Sequence, residues 1–155
     1  MLSASSDGHV KLWDLRNTTQ AVSTLKLQNP VEDFCLRNSD QLVISHGNAL
    51  SVAEIGSNGL MGKSDFFPFQ KPDTRVRYDK VRDRVIAGGL DSQLKFSNVT
   101  HDHEVSVAYK IKVPSEIFAF DVSGDGNHFS MGLADGSLVI KSKMLDPIEE
   151  MRTDE

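Results

Sequence analysis

Asp7-Gly8-His9-Val10-Lys11-Leu12-Trp13-Asp14 opens on a tight-turn pair and runs on into an alternating segment. Asp-Gly between two apolar runs is a strong hairpin signal, because the turn needs positive φ, which glycine adopts without strain. The same turn chemistry returns down the chain at Gly47-Asn48, Asp91-Ser92 and Asp135-Gly136, with Gly47 standing 40 residues after Asp7. Prolines keep the same beat: Pro30, Pro72 and Pro114 lie 42 residues apart, and each precedes a short apolar run. A fixed period in this range marks a repeat architecture. At that period the chain holds roughly three and a half units.

Within each unit, short β-rich runs alternate with turn residues, and no long helical pattern appears. The first unit predicts strands over Leu2–Ser5, His9–Leu15 and Ala21–Leu27. The second predicts Val31–Leu36, Gln41–Ser45, Ala49–Ile55 and, after a loose Gly56–Gly59 loop, Met61–Phe67. The third predicts Thr74–Tyr78, Arg84–Gly88, Gln93–Val99 and Glu104–Ile111, and the fourth Ile117–Val122, Asn127–Gly132 and Ser137–Lys143. The fold class is therefore all-β.

The phrase from Asp7 to Asp14 resembles the end of a WD repeat, the four-stranded blade of a β-propeller. The resemblance implies a partial WD40 propeller of about three and a half antiparallel blades. It gives Asp7, Gly8, Trp13, Asp14, Asp91, Asp135 and Gly136 structural roles, as turn formers and a packed aromatic. The later units are degenerate: the places of Trp13-Asp14 read Ala53-Glu54, Ser97-Asn98 and Lys141-Ser142. Many WD repeats carry a Gly-His pair ahead of the inner strand, hydrogen-bonded to the turn aspartate. Here those places read Gln28-Asn29, Gln70-Lys71 and Lys112-Val113, so that network is expected to be missing.

With strands lettered a to d from the axis outward, the first unit has b, c and d, and the last has a, b and c. These gaps do not complement each other, so a closed four-bladed ring is not expected. Residues 1–143 read as the C-terminal half of a propeller, and 144–155 as an acidic tail or linker.

Hydrophobic residues make up 39% and charged residues 25%, which suits a folded chain and argues against disorder. A net charge of −5 does not suit a protein that grips nucleic acid over its whole surface. Cys35 is the single cysteine, so no intrachain disulfide can form, which favours a reducing compartment. No apolar run approaches the ~20 residues of a membrane span, and no signal-peptide pattern opens the chain.

Two clusters are candidates for partner or RNA contact. Arg75, Arg77, Lys80, Arg82 and Arg84 form the strongest positive run, and Arg75 and Arg77 share a strand face. Asp73, Asp79 and Asp83 interleave with it and favour a salt-bridged edge. Phe66, Phe67 and Phe69 make an apolar patch that serves either packing under a loop or anchoring of a partner peptide. His101-Asp102-His103-Glu104 is the densest run of metal-ligand types, but it falls in a bend and has no matching half-site elsewhere. No metal, cofactor or small-molecule substrate is expected. Phosphate loops, nucleophile elbows and zinc-protease helices are absent from the sequence, so no enzyme is expected.

The order of segments adds a second resemblance. Asn29-Pro30-Val31-Glu32-Asp33-Phe34 leads to Leu42–Gly47, then Val85–Phe96, then Pro114–Phe120 and Met131–Lys141, whose last run ends in lysine where a WD pair would stand. Over about Ser3 to Lys143 this is similar to the later blades of the WD-repeat subunits of the small-subunit processome, in the UTP-A (t-UTP) group. The resemblance implies a non-enzymatic nucleolar scaffold for pre-18S rRNA processing, with other protein subunits of a UTP-A-like complex as partners. It also implies indirect or weak contact with pre-rRNA or snoRNA, and no membrane. The other reading is a general WD40 protein-interaction adaptor, such as a ubiquitin-ligase substrate receptor.

Overall fold

A computed structural model describes residues 1–142, which form fourteen strands in four antiparallel sheets. The predicted tail over 144–155, and Lys143, lie outside the described residues. The first sheet is β1 (Leu2–Ala4), β2 (His9–Leu12) and β3 (Ser23–Lys26). The second is β4 (Val31–Leu36), β5 (Gln41–His46), β6 (Ala49–Gly56) and β7 (Gly59–Phe66). The third is β8 (Asp73–Asp79), β9 (Arg84–Gly89), β10 (Gln93–Val99) and β11 (Val105–Lys112). The fourth is β12 (Ile117–Val122), β13 (His128–Leu133) and β14 (Leu138–Ser142). Strand order within each sheet follows the chain, so every connection is a hairpin, and the all-β reading agrees with the structure. Among the described residues no helix is long and apolar enough to cross a membrane.

Each turn closes as its residues require. Gly8 (φ +83°) and Gly136 (φ +85°) take the left-handed conformation, and Ser92 (φ +59°) takes it in the third sheet. Asp7 accepts a hydrogen bond from His9 N at 3.0 Å, Asp91 from Gln93 N at 3.2 Å and Asp135 from Ser137 N at 2.9 Å. These bonds occupy the side chain that makes aspartate a turn former. They hold the Asp7 carboxyl well below its ordinary range, at about 2, chiefly through the His9 backbone.

The core lies between the sheets, and the period-2 alternation of a strand divides it. On β5, Leu42 and Ile44 face the first sheet while Val43 faces the third. On β9, Val85 and Ala87 face the second sheet while Ile86 faces the fourth. These strands are buried on both faces, which is why they read as continuous apolar runs in the sequence. Three core clusters join first to second, second to third and third to fourth sheets, and among the described residues none joins the first to the fourth.

Most strand bounds shift by one or two residues from expectation, and two differences have a local cause. β2 stops at Leu12 rather than Leu15, because Asp14 bridges to Asn17 and accepts three bonds from the Arg16 guanidinium, turning the chain away. The Gly56–Gly59 segment is no loose loop: Gly56 pairs with Gly59 and the strand resumes at once. Gly59 has φ +99°, and a Cβ there would sit 2.4 Å from Ser23 Oγ on the neighbouring sheet. Gly59→Ala is expected to cost about 1–3 kcal/mol through strain and clash, read as a lower urea midpoint at unchanged slope.

Candidate interaction surfaces

Trp13 is half-buried, and its Nε1 donates to Ser3 Oγ at 2.8 Å, tying β2 to β1. Asp91 has the most buried role among the turn aspartates. Its Oδ2 accepts from Lys95 Nζ, and both side chains are 4–5% exposed. The same ammonium stands 3.8 Å from the centroid of the Phe69 ring, which belongs to the connection from the second sheet to the third.

Phe69 is therefore core, 4% exposed, while Phe66 packs partly against the same cluster and Phe67 is 62% exposed. The three phenylalanines do not form one surface patch, and only Phe67 presents a ring to solvent.

The basic cluster divides in a similar way. Arg77, on inner strand β8, reaches Asp33 on β4 at 2.7 Å and Asp121 on β12 at 3.3 Å, so one guanidinium spans three sheets. Arg82 donates to Gly126 O at 2.9 Å and Asn127 Oδ1 at 2.8 Å, and also meets Asp79 at 3.3 Å. Arg84 lies over the Tyr109 ring at 5.4 Å. Arg75 is half-buried, and Lys80 is exposed at the turn before β9. Arg37, which the sequence reading did not single out, makes the matching tie one sheet earlier. It donates to Asp83 at 2.9 and 2.8 Å, holding that carboxyl below its ordinary range.

Beside this tie lies a polar cavity of about 460 Å³, lined by Arg37, Gln41, Tyr78, Asp83, His101 and His103. Gln41 Oε1 accepts from Arg37 Nη1 at 2.8 Å, which fixes the amide orientation, so Gln41 Nε2 donates to His103 Nδ1 at 2.8 Å. Both histidines sit in the β10–β11 turn, with His103 at φ +65°. No group of three or more His, Cys, Asp or Glu side chains able to hold a metal ion occurs among the described residues.

A partly buried polar network joins His46, which has no partner visible in the sequence, to Ser51 and Asp65. His46 Nε2 lies 2.6 Å from Ser51 Oγ, and Ser51 donates to Asp65 Oδ1 at 2.5 Å. It involves none of the places of the Gly-His pair and none of the turn aspartates, so it is a different network from the one expected to be missing. No spacing in the sequence announces it, because its members lie on three successive strands. Ser51 gives its proton to Asp65, so it must accept from His46 Nε2–H. The imidazole is then not a base toward the hydroxyl, and the order differs from a nucleophilic triad. His46 Nδ1 is buried without a hydrogen-bond partner among the described residues. Burial lowers the His46 pKa from its ordinary 6.5, against a smaller opposing pull from Asp65. The unfolded chain thus takes up a proton that the folded protein resists. Stability is full above pH ~6.5 and falls on acidification through the window below it. Tm is expected to drop between pH 7.5 and 5, and His46→Gln, which keeps a donor to Ser51, is expected to flatten that drop.

No family model matches the chain. Among solved structures, the WD40 beta propeller domain of Doa1 superposes with a TM-score of 0.77, over 92% of this chain and 46% of that one, at 14% identity. The fold is that of part of a WD40 β-propeller. Its sheets are blades, and β4, β8 and β12 are inner strands. Among curated proteins, "U3 small nucleolar RNA-associated protein 15" of Saccharomyces cerevisiae is 27% identical over 149 residues, covering 91% of this chain and 29% of that protein. The chain spans under a third of that relative and under half of the solved propeller.

Proposed function

We propose that this propeller segment is a non-enzymatic scaffold in ribosome biogenesis, acting in pre-18S rRNA processing within the small-subunit processome and located in the nucleolus. The observation that supports this reading is the similarity to the yeast U3-associated protein, which runs through nearly every blade rather than one motif. The surface agrees with a scaffold. Its arginines tie blades together, its Ser51 hydroxyl donates to Asp65 rather than facing a base, and its recognisable turn residues build hairpins. Contacts with partner subunits, and weak contacts with pre-rRNA or snoRNA, fall to the groups that remain on the surface. Phe67 is the exposed aromatic among the candidates, and Lys80 the exposed cation.

The test is a tagged pull-down of the native protein from source cells, with protein identification and RNA sequencing. Enrichment of U3 snoRNA together with other processome subunits is the expected result. Recovery of ubiquitin-ligase subunits without that RNA would overturn it and favour a general WD40 adaptor.

A further inference from the structure

The polar cavity of about 460 Å³ opens between the second and third blades, and every residue on its wall belongs to those two four-stranded sheets or to their turns. Its hydrogen bonds have a fixed direction. Tyr78 OH donates to Asp83 Oδ1 at 2.8 Å, and Asp83 also accepts from Nε and Nη2 of Arg37. Arg37 Nη1 donates to Gln41 Oε1, and Gln41 Nε2 to His103 Nδ1, both at 2.8 Å. His103 Nδ1 is thus an acceptor, and the neutral ring carries its proton on Nε2. A protonated Nε2 is a hydrogen-bond donor and not a metal ligand. The second blade also holds the backbone of this residue: Ser64 Oγ donates to His103 O, and His103 stays at φ +65°. A non-glycine residue in that region costs energy that its surroundings must offset, and such positions cluster at ligand sites.

Asn38 adds a second donor. Its Oδ1 accepts from Asp40 N at 3.1 Å and from Gln41 N at 2.7 Å, which leaves the Nδ2 hydrogens for another acceptor. Asp40 supplies an acceptor, since it is exposed and the bonds it makes come from its backbone. The other charges on the wall are answered, Arg37 by Asp83 at 2.8 Å and Glu54 by Lys63 at 2.6 Å. A phosphate here would meet the Asp40 carboxylate, and a cationic side chain would meet the donors. The wall suits a neutral planar group that sets two donors beside an acceptor.

Among RNA bases guanine alone does so: N1–H and N2–H lie side by side, next to O6. Adenine and cytosine put a ring acceptor beside their amine, and uracil flanks its N–H with carbonyls. We propose that this cavity takes an unpaired guanine of RNA, with N1–H and N2–H on the Asp40 carboxylate and O6 accepting from His103 Nε2–H. Tyr78 and His101 line the same cavity and are ring types on which unpaired bases stack. Lys80, exposed in the turn that carries Asp83, meets the flanking phosphate. The choice of RNA over a free nucleotide rests on the proposed function, and the choice of guanine rests on the cavity.

The probes are labelled pentaribonucleotides UUGUU and UUAUU and free GMP, titrated against the whole chain and against the native protein from source cells. UUGUU is expected to bind at least ~10-fold more tightly than UUAUU, the discrimination of one bidentate pair. Inosine in place of guanosine removes the N2 amine and is expected to lose most of that preference. Asp40→Asn, at an exposed site, is expected to lose it as well, with the unfolding midpoint retained. Lys80→Gln is expected to weaken both pentamers alike and to leave GMP unchanged. Equal binding of UUGUU and UUAUU overturns the proposal, as does a preference that survives Asp40→Asn. GMP binding as tightly as UUGUU overturns the RNA source and assigns the cavity to a free nucleotide. Loss of the preference in the native protein overturns it too, because another segment would then hold the cavity. Recovery of processome subunits with U3 snoRNA alongside equal pentamer binding would sink this inference alone. A guanine preference without those partners would sink the proposed function alone.

Discussion

Phe96→Ala is expected to lower stability by about 3–5 kcal/mol, the cost of an emptied aromatic site. Phe96 is 2% exposed on β10 and holds the third blade to the fourth. Its ring stacks on Tyr109 at 4.3 Å and 11°, and meets Phe129 edge-on at 5.3 Å and 85°. Alanine removes both aromatic pairs, each worth about 0.5–1.5 kcal/mol beyond buried area. It also leaves Ile86, Leu94 and Met131, all 0% exposed, around a void. Domains are stable by only ~5–15 kcal/mol, so the loss is a large fraction of the whole. Urea unfolding followed by circular dichroism reads it. Phe118→Ala, at a ring 55% exposed, is the control and is expected to stay within about 0.5 kcal/mol. A Phe96→Ala loss no larger than that control would show that the third and fourth blades do not depend on this contact.

Asp91→Asn is expected to cost about 3–5 kcal/mol, because it strands a buried ammonium. The substitution keeps an oxygen to accept from Gln93 N and changes little in volume, so the loss reports the charge. Lys95 would retain the Phe69 face, which contributes at most ~2 kcal/mol to a desolvated cation. Adding Lys95→Met removes the stranded charge while keeping an apolar stem of similar length. The double variant is expected to recover most of the loss, since well-packed apolar replacements of buried pairs are often neutral. A double variant no more stable than Asp91→Asn would show that the aspartate acts through the turn and not through the pair. Chemical denaturation of the four proteins in the cycle measures the coupling.

What could be read from the sequence was set by local chemistry. The bounds of Val31–Leu36, Gln93–Val99 and Ile117–Val122 agree with β4, β10 and β12, because turn residues or prolines punctuate each run. The four sheets, and the three strands described in the first and in the last, follow from the same punctuation. Long-range pairing was not legible. Asp33 and Arg77 lie 44 residues apart and meet only because equivalent strands neighbour one another around the axis. That equal spacing of Asp33, Arg77 and Asp121 was a usable signal, visible once the units are laid in register. The division of Phe66, Phe67 and Phe69 was not legible, since a loop residue shows no periodicity to tell ring from ring. His46, Ser51 and Asp65 give no pattern either, because three strands bring them together across separations of 5 and 14 residues.

The arginine ties between turns have a direction, and direction matters while the chain is being made. Arg37 precedes its partner Asp83 by 46 residues, and Arg82 precedes Asn127 by 45. At a synthesis rate of ~5–20 residues per second, each guanidinium emerges about 2–9 s before the group that receives it. Until then the finished blade carries an unanswered cation and a bare apolar face on its growing side. Each blade is thus the template on which its successor docks, and an interruption of synthesis would leave that sticky side open for as long as the pause lasts.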